Sequence, residues 1–221
     1  MKAATWQWAR QSSATPNSMG RSPGAQAEYL RVPHVDYGPI KVPQGPADDR
    51  FVYLSDVLPT AWQAFQYASV PKGGTLMVIG LGPIGDMTCR IALQHGVSNV
   101  IGVDLVAERL ERARGNGVTT AFQMAIDAVR RGGTISLVGV YGGMADPLPM
   151  LTMFDKQIQL RMGQANVRRW VDEILPLVLD DADPLGTESF AAHHVSLDEA
   201  PKAYAAFQKK QDGAVKYLFR P

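Results

Sequence analysis

The amino-acid sequence predicts an α/β fold built on a parallel sheet, and two patterns near its middle support this prediction. Residues 75–79 and 100–105 form short runs rich in aliphatic side chains, which are typical of strands buried on both faces. Between them, apolar residues recur at helical spacing over 84–92, and the segment ends on His95 and Gly96, as a helix that closes on glycine does. One helix between two strands makes a β-α-β unit, so the second strand should lie parallel to the first.

The elements on either side also follow from local patterns. Residues 27–42 consist of apolar pieces broken by prolines and glycines, which predicts brief strands and turns, and 57–69 look helical. Beyond the β-α-β unit the patterns predict two helices, a buried strand, a half-exposed strand, a helix kinked at Pro176, a helix started by the Ser196-x-x-Glu199 capping box, and a closing strand. Apart from the capped helix, these elements span 107–114, 120–131, 134–140, 158–162, 168–179 and 214–220.

A glycine pattern lies where the first strand ends and the helix begins. Gly80, Gly82 and Gly85 have the GxGxxG spacing. The first glycine would permit a tight turn, the second a close approach of the backbone to a diphosphate, and the third close packing of the helix on the strand. The start of the helix would then offer N–H groups and a partial positive charge to the phosphates. The sequence therefore predicts a Rossmann-type dinucleotide site.

Asp104 stands at the tip of the second predicted strand, 19 residues after Gly85. A carboxylate there can accept hydrogen bonds from the adenosine ribose hydroxyls and would repel the 2′-phosphate of NADP, so NAD is the expected cofactor. Arg109 leaves NADP open, because a nearby arginine can serve a 2′-phosphate, although a solvated helix charge explains this residue equally well. The competing interpretation of the whole pattern is an ordinary glycine turn with a surface aspartate.

Further glycines close the third and fourth predicted strands, at positions 139, 142, 143 and 163. Ligands of an open parallel sheet bind beyond the carboxyl ends of its strands, so these glycines would line the nicotinamide half of the cleft. Turn formation alone would also explain glycines at strand ends.

Composition excludes several classes of function. Of the 221 residues, 46% are hydrophobic and 19% are charged, and the net charge of +1 gives no electrostatic grip on nucleic acid or a membrane surface. The single cysteine, Cys89, permits neither an intrachain disulfide nor a zinc cluster built from cysteines. The first ten residues lack the apolar run of a signal peptide. We therefore expect a soluble cytoplasmic protein.

Several stretches together resemble the zinc-dependent medium-chain alcohol dehydrogenases, and in particular the branch that includes the glutathione-independent formaldehyde dehydrogenases. These stretches are residues 1–7, GAQAEYLRVPHVDYGPIKVP from Gly24, LSDVLPTAW from Leu54, the unit 80–104, and RRGGTISLVGVYGG onward. The resemblance implies a remnant of a GroES-like catalytic domain, formed by 1–56 and 167–221, and a Rossmann domain at 57–166. It also implies NAD and zinc as cofactors, an alcohol or aldehyde as substrate, and allows a homo-oligomer.

The resemblance assigns roles to the positions that match the family's motifs. Thr60 would lie near the nicotinamide ring, and Asp56 falls where the family has one ligand of its catalytic zinc. Other positions would hold the diphosphate and adenosine ribose, or would flank the nicotinamide ribose and ring. The first group is Gly80, Gly82, Pro83, Ile84, Gly85, Asp104 and Arg109, and the second is Val138, Gly139, Val140, Gly163 and Ala165. No position is assigned as catalytic.

The sequence departs from this family in its zinc ligands. The match at residues 1–7 leads almost directly into the Ser/Pro-rich segment 11–25 and omits the stretch with the family's other zinc-binding cysteine and histidine and its four-cysteine lobe. Catalytic zinc takes three protein ligands, and Asp56 would be alone. None of the four histidines shows ligand spacing with it: His34, His95, His193 and His194. The last two are better explained as part of a strand near the surface.

A second departure shortens the sheet. Between residues 114 and 119 the family has a further strand, a helix and a central strand, whereas here one predicted helix leads into the next. The first strand must therefore pair with 134–140 or keep an open edge, and an open buried edge would cost stability.

Three functions remain open on the sequence alone. The first is hydride transfer between an alcohol or aldehyde and NAD, with zinc as a Lewis acid. The second is a non-catalytic dinucleotide-binding remnant without the zinc site. The third is zinc-free reduction of the quinone reductase kind. The order of motifs favours the first, whereas the missing ligands favour the other two.

Overall fold

The computed structural model describes residues 27–29, 36, 39–104, 106, 125–138, 149–191, 193–209, 213 and 215–220. The chain divides into two compact units. One comprises the chain up to Asp56 together with Pro176 onward, and the other comprises Val57–Leu175. The helix predicted over 107–114 and half of the residues 27–42 lie outside the described residues. None of the helices in the described ranges has the length and apolar content needed to span a membrane.

The described residues form seven α-helices and six strands. The helices are α1 (Asp48–Val52), α2 (Val57–Ala68), α3 (Pro83–Gln94), α4 (Ala125–Ala128), α5 (Met150–Asp155), α6 (Val167–Leu179) and α7 (Ala200–Gln208). The strands are β1 (Thr75–Ile79), β2 (Asn99–Val103), β3 (Thr134–Leu137), β4 (Gln159–Met162), β5 (His193–Ser196) and β6 (Tyr217–Arg220). Short 3-10 turns at Tyr53–Ser55 and Leu197–Glu199 precede α2 and α7.

The three sheets that the described residues form are parallel pairs, which confirms the predicted α/β class. β1 pairs with β2, β3 with β4, and β5 with β6. The β1–β2 register runs from Thr75 opposite Asn99 to Ile79 opposite Val103, as the β-α-β prediction requires. Within the described residues β1 and β3 do not pair with each other. Of the two alternatives for the first strand, pairing with 134–140 is therefore not observed there. Instead, α3 packs on β1 and β2, and α2 packs on β3 and β4.

The core of the unit Val57–Leu175 lies between α2 and α3, which pack on each other. α2 contributes Trp62 and Phe65, and α3 contributes Met87 and Ile91, all of them buried. The ring of His95, the C-cap residue of α3, lies 5.0 Å from each of the two aromatic rings of α2. This packing fixes the angle at which α3 leaves β1, and so it positions the glycine turn between them.

In the other unit, a buried arginine holds the end of α6 and the loop that follows it. Arg50 of α1 is 5% exposed, and its guanidinium donates to the carbonyl oxygens of Val178 at 3.2 Å and Asp180 at 2.6 Å. Its Nε also donates to Glu188 Oε1 at 2.7 Å. A cation at this place satisfies carbonyls that have no partner within the helix and interacts favourably with the helix dipole.

The structure corrects the predicted burial of β1. The sequence predicts a strand buried on both faces, but only Leu76 is buried and Ile79 is 47% exposed. Val78 faces α3, where a Cβ on Gly85 would touch it, and side chains of a strand alternate between its faces. Leu76 therefore shares the covered face with Val78, whereas Ile79 lies on the opposite face.

Other elements differ from prediction in extent. The helix predicted over 120–131 is described only as α4, and residues 129–131 are not helical. β3 stops at Leu137, and its residues are half-buried where a buried strand is predicted. α1 and α5 were not predicted, because helices of five and six residues carry too little periodicity to be recognised.

Candidate functional site

The turn between β1 and α3 requires glycine at two positions. Gly80 has a φ of +87°, in the left-handed region that favours glycine. Gly82 is the N-cap residue of α3, and Pro83 follows in the first turn, where its missing N–H costs little. A Cβ on Gly85 would overlap the carbonyl oxygen of Gly80 and lie 3.4 Å from Val78 Cγ1. Two of the roles predicted from the spacing, the tight turn and the close packing of helix on strand, are therefore present.

The end of β2 brings Asp104 against this turn. The Gly80 N–H donates to the Val103 carbonyl oxygen at 2.7 Å, which continues the β1–β2 pairing. Asp104 Oδ2 accepts a hydrogen bond from the backbone N–H of Leu81 at 2.7 Å, and Oδ1 accepts one from Val106 N–H at 2.9 Å. The Asp104 carboxylate thus fixes the turn. This role of the carboxylate could not be predicted from the sequence. Each carboxylate oxygen has two lone pairs, so a ribose hydroxyl can share Asp104 with the backbone.

The start of α3 is suited to an anion. The helix is 12 residues long, and its first N–H groups, on Ile84 and Gly85, follow the N-cap. Such groups have no partner within the helix and carry a partial positive charge. Asp86 in the same turn is 1% exposed, and its carboxylate lies 3.2 Å from Arg90 Nη2. Because that negative charge is paired within the helix, it opposes a bound diphosphate less than a lone carboxylate would.

The described residues among those predicted for the nicotinamide half lie on α2 and just after β3 and β4. Thr60 is half-buried on α2, Val138 directly follows β3, and Gly163 and Ala165 follow β4. Because β3 and β4 are parallel, their carboxyl ends meet at one edge of the sheet, where ligands of such sheets bind. Gln63 of α2 donates to the Gly163 carbonyl oxygen at 3.3 Å. Sequence reasoning missed Gln63, since one glutamine in an apolar helix has no motif.

Three predicted cofactor residues lie outside the described residues: Arg109, Gly139 and Val140. Their contribution therefore stays a prediction. Among the described residues, the predicted preference for NAD over NADP depends on Asp104. The arrangement offers a glycine turn and a helix start to a diphosphate, and a carboxylate to a ribose.

The described residues do not fit a catalytic zinc ion. Asp56, the predicted ligand, follows the 3-10 turn Tyr53–Ser55, and its side chain is exposed. In the part of the chain that the structure describes, no group of three His, Cys, Asp or Glu side chains could hold a metal ion. Catalytic zinc takes three protein ligands. The role of Asp56 as a ligand therefore stays a prediction.

The described cysteine and histidines have other surroundings. Cys89 is completely buried in α3, and His95 is the C-cap residue of that helix. His193 stacks on a tyrosine of β6 with ring centroids 4.6 Å apart. His194 Nε2 lies 2.9 Å from Asp49 Oδ2. The two adjacent histidines belong to β5, which agrees with the strand predicted there.

Burial raises the pKa of the Cys89 thiol from 9.0 to about 12, and the nearby Asp86 carboxylate contributes to the same shift. The unfolded chain has the ordinary pKa, so the stability that depends on a neutral thiol is complete below pH 9.0 and is lost as the pH rises toward 12. At pH ~8 we expect iodoacetamide to label Cys89 about 1,000-fold more slowly in the native chain than in urea, because so little thiolate is present.

Mass spectrometry of the alkylated peptide measures both rates. The variant Cys89→Ser is the control, since it has no thiol to label and should lose less stability between pH 9.0 and 12. Native labelling within about tenfold of the unfolded rate would contradict this position of the thiol in the core.

Comparison with known proteins finds relatives among the alcohol dehydrogenases. A probable zinc-binding alcohol dehydrogenase of Mycobacterium tuberculosis is 34% identical to this chain over 227 aligned positions, which cover 90% of the chain and 59% of that protein. The chain is homologous to the zinc-type alcohol dehydrogenases. Formaldehyde dismutase of Pseudomonas putida is a more distant relative, with 25% identity over 84% of the chain and 62% of its own length. No family model matches the chain.

Solved structures of alcohol dehydrogenases have the same fold. The enzyme from Thermus sp. ATN1 has a TM-score of 0.80 at 29% identity, covering 90% of this chain and 66% of the enzyme. An Escherichia coli alcohol dehydrogenase complexed with the cofactor NADH has a TM-score of 0.73 at 18% identity, covering 82% and 62%. The latter likeness concerns the fold alone. The chain spans 59% of the Mycobacterium relative and 66% of the Thermus enzyme.

Proposed function

We propose that this chain is an NAD-linked oxidoreductase of the zinc-type alcohol dehydrogenase kind, and that the turn 80–85 holds the diphosphate of NAD. The observation that carries the proposal is the close fit of α3 on β1. A Cβ on Gly85 would overlap the carbonyl oxygen of Gly80, so glycine allows this close approach. Asp104 accepts a hydrogen bond from the backbone N–H of Leu81 in the same turn. This combination is the one that a dinucleotide site requires.

In this proposal each half of the cofactor has its own set of residues. Asp104 accepts hydrogen bonds from the adenosine ribose and disfavours the 2′-phosphate of NADP. When bound, NAD accepts or releases a hydride, and the chain binds and orients it. The diphosphate and adenosine ribose contact Gly80, Gly82, Pro83, Ile84, Gly85, Asp104 and Arg109, and the nicotinamide ribose and ring contact Thr60, Val138, Gly139, Val140, Gly163 and Ala165.

The substrate that we propose is a small alcohol or aldehyde, of the class handled by the formaldehyde dehydrogenase-like branch. The formaldehyde dismutase of Pseudomonas putida supports this assignment, together with the matching stretches at Gly24 and Leu54. We also propose a GroES-like remnant at 1–56 and 167–221 around a nucleotide domain at 57–166. The unit boundary between Asp56 and Val57 supports the first limit of that division, whereas the second unit boundary lies between Leu175 and Pro176 and not at 166. A cytoplasmic location and a homo-oligomer belong to the same proposal.

One observation favours a second candidate function. The described residues provide no set of three zinc ligands, which is the number that catalytic zinc takes from a protein. The second candidate is therefore a protein that binds the dinucleotide without oxidising an alcohol.

Titration with NADH, followed by nicotinamide fluorescence, tests the proposal on the purified chain, and zinc analysis is done on the same sample. The oxidoreductase proposal expects saturable binding and alcohol-dependent reduction of NAD. The second candidate expects the same binding with no reduction and no stoichiometric zinc. Reduction of a quinone by NADH in the presence of a chelator would instead indicate a zinc-free reductase. Unchanged fluorescence with a chain shown to be folded by circular dichroism would overturn the proposed site.

A further inference from the structure

A buried glutamine of α2 joins the loop after β4 to the start of α6. Gln63 is 1% exposed, and its Nε2 donates to the carbonyl oxygens of Gly163 at 3.3 Å and Gln164 at 2.9 Å. Its Oε1 accepts from the Asn166 backbone N–H at 3.0 Å and from Trp170 Nε1 at 3.0 Å. All of these contacts lie within the unit Val57–Leu175. A side-chain amide has two donor hydrogens and two acceptor lone pairs, so this network uses its full capacity.

Such a network selects one conformation of the segment 163–166. Three of its backbone groups bind one side chain, and a different backbone path would leave the buried amide without partners. An unsatisfied buried polar group costs more than an ordinary hydrogen bond contributes. Gly163 has a φ of +150°, which side chains other than glycine rarely adopt. Most of the segment 163–166 is exposed to solvent, and few other contacts restrain it. Gln63 therefore holds this segment in place from its buried side.

The segment 163–166 lies at the edge of the sheet where ligands of parallel strands bind, so the network bears on cofactor binding. The segment follows the carboxyl end of β4, beside the end of β3 at Val138, which is the ligand edge of a parallel pair. The segment contains Gly163 and Ala165, and Thr60 lies three residues before Gln63 on α2. Residues three apart lie on the same side of a helix, so one side of α2 serves both the predicted ring contact and the loop.

We propose that Gln63 is a positioning residue for the nicotinamide half of the cofactor, and this inference rests on the proposed NAD site. It acts through Gly163 and Ala165, whereas the turn 80–85 and Asp104 hold the adenosine half. Loss of the network loosens the nicotinamide end of the bound cofactor and leaves its adenosine diphosphate end in place.

The test compares two ligands on one variant. ADP contains the adenosine diphosphate end alone, and NADH adds the second ribose and the nicotinamide. Gln63→Met keeps the size of the side chain and removes its hydrogen bonds, so it should raise the Kd for NADH about tenfold and change the Kd for ADP less than about twofold. The fluorescence enhancement of bound NADH should fall as well. Isothermal titration calorimetry and NADH fluorescence measure these values.

Glu173→Ala is the matched control. It removes the other described hydrogen bond between the same two helices, from Trp62 Nε1 to Glu173 Oε2 at 2.9 Å, without touching the loop. Both Kd values should stay within about twofold of the original chain. If Gln63→Met does not fold, Trp170→Phe removes a single hydrogen bond of the network and should weaken NADH binding alone, by about threefold.

The outcomes separate this inference from the proposed function. If the unaltered chain binds neither ligand, the proposed NAD site itself fails. If it binds ADP and NADH equally well, the positioning role is overturned. The same holds if Gln63→Met or its substitute Trp170→Phe changes the Kd values for both ligands alike or for neither. Weaker binding of NADH alone in Gln63→Met, with no such change in Glu173→Ala, supports the positioning role.

Discussion

Replacing Gly85 with alanine is expected to weaken NADH binding about 100-fold or more, because the added methyl group has no room. It would overlap the carbonyl oxygen of Gly80 and press against Val78. Either α3 moves away from β1 or the turn opens, and both changes displace the N–H groups that are proposed to bind the diphosphate. NADH titration measures the loss of affinity, and thermal unfolding measures the loss of stability.

Alanine substitutions at two other glycines distinguish this steric effect from backbone strain. Gly80 and Gly213 have φ values of +87° and +61°, and a Cβ at either position would meet nothing within 4 Å. Alanine at either position costs roughly 1–2 kcal/mol of left-handed strain. We expect Gly80→Ala to weaken NADH binding about tenfold and Gly213→Ala to leave it unchanged. Binding by Gly85→Ala as tight as by Gly213→Ala would contradict the proposed contact between turn and diphosphate.

The β-α-β unit could be predicted because its signals are local. β1 has the predicted bounds, and α3 and β2 begin and end within two residues of the predicted 84–92 and 100–105. Helical periodicity and glycine spacing depend on neighbours within one or two turns of the chain. The capping box of Ser196 and Glu199 is present for the same reason, since it involves residues three apart.

Features that depend on distant residues could not be predicted. The exposure of Ile79 is set by which helices cover β1, and the pairing of β3 with β4 joins segments more than 20 residues apart. Gln63 reaches a loop about 100 residues further along the chain. The same holds for Asp104, whose place at a strand tip was predicted, whereas its hydrogen bond to Leu81 follows only from the folded turn. Local patterns thus predicted the turn of the candidate site, but not the contacts that hold its shape.

Replacing Asp104 with serine is expected to weaken NADH binding by roughly 10- to 100-fold and to improve NADPH relative to NADH. Serine is too short to keep both hydrogen bonds, to Leu81 and Val106, and hydrogen bonds to a charged group contribute about 1.5–3 kcal/mol each. Loss of the carboxylate also removes the charge that repels a 2′-phosphate. Parallel titrations with NADH and NADPH give both affinities.

Asp104→Asn distinguishes the charge from the geometry. Asparagine has one acceptor oxygen, so it can keep one of the two backbone contacts while removing the negative charge. If repulsion sets the cofactor preference, the ratio of NADPH to NADH affinity should rise as much in Asp104→Asn as in Asp104→Ser, although the turn is less disturbed. Asp172→Asn, which removes an exposed carboxylate on α6, should change neither affinity. An unchanged ratio in both Asp104 variants would mean that this carboxylate only braces the turn, and the choice of cofactor would then depend on residues beyond it, with Arg109 the first to test.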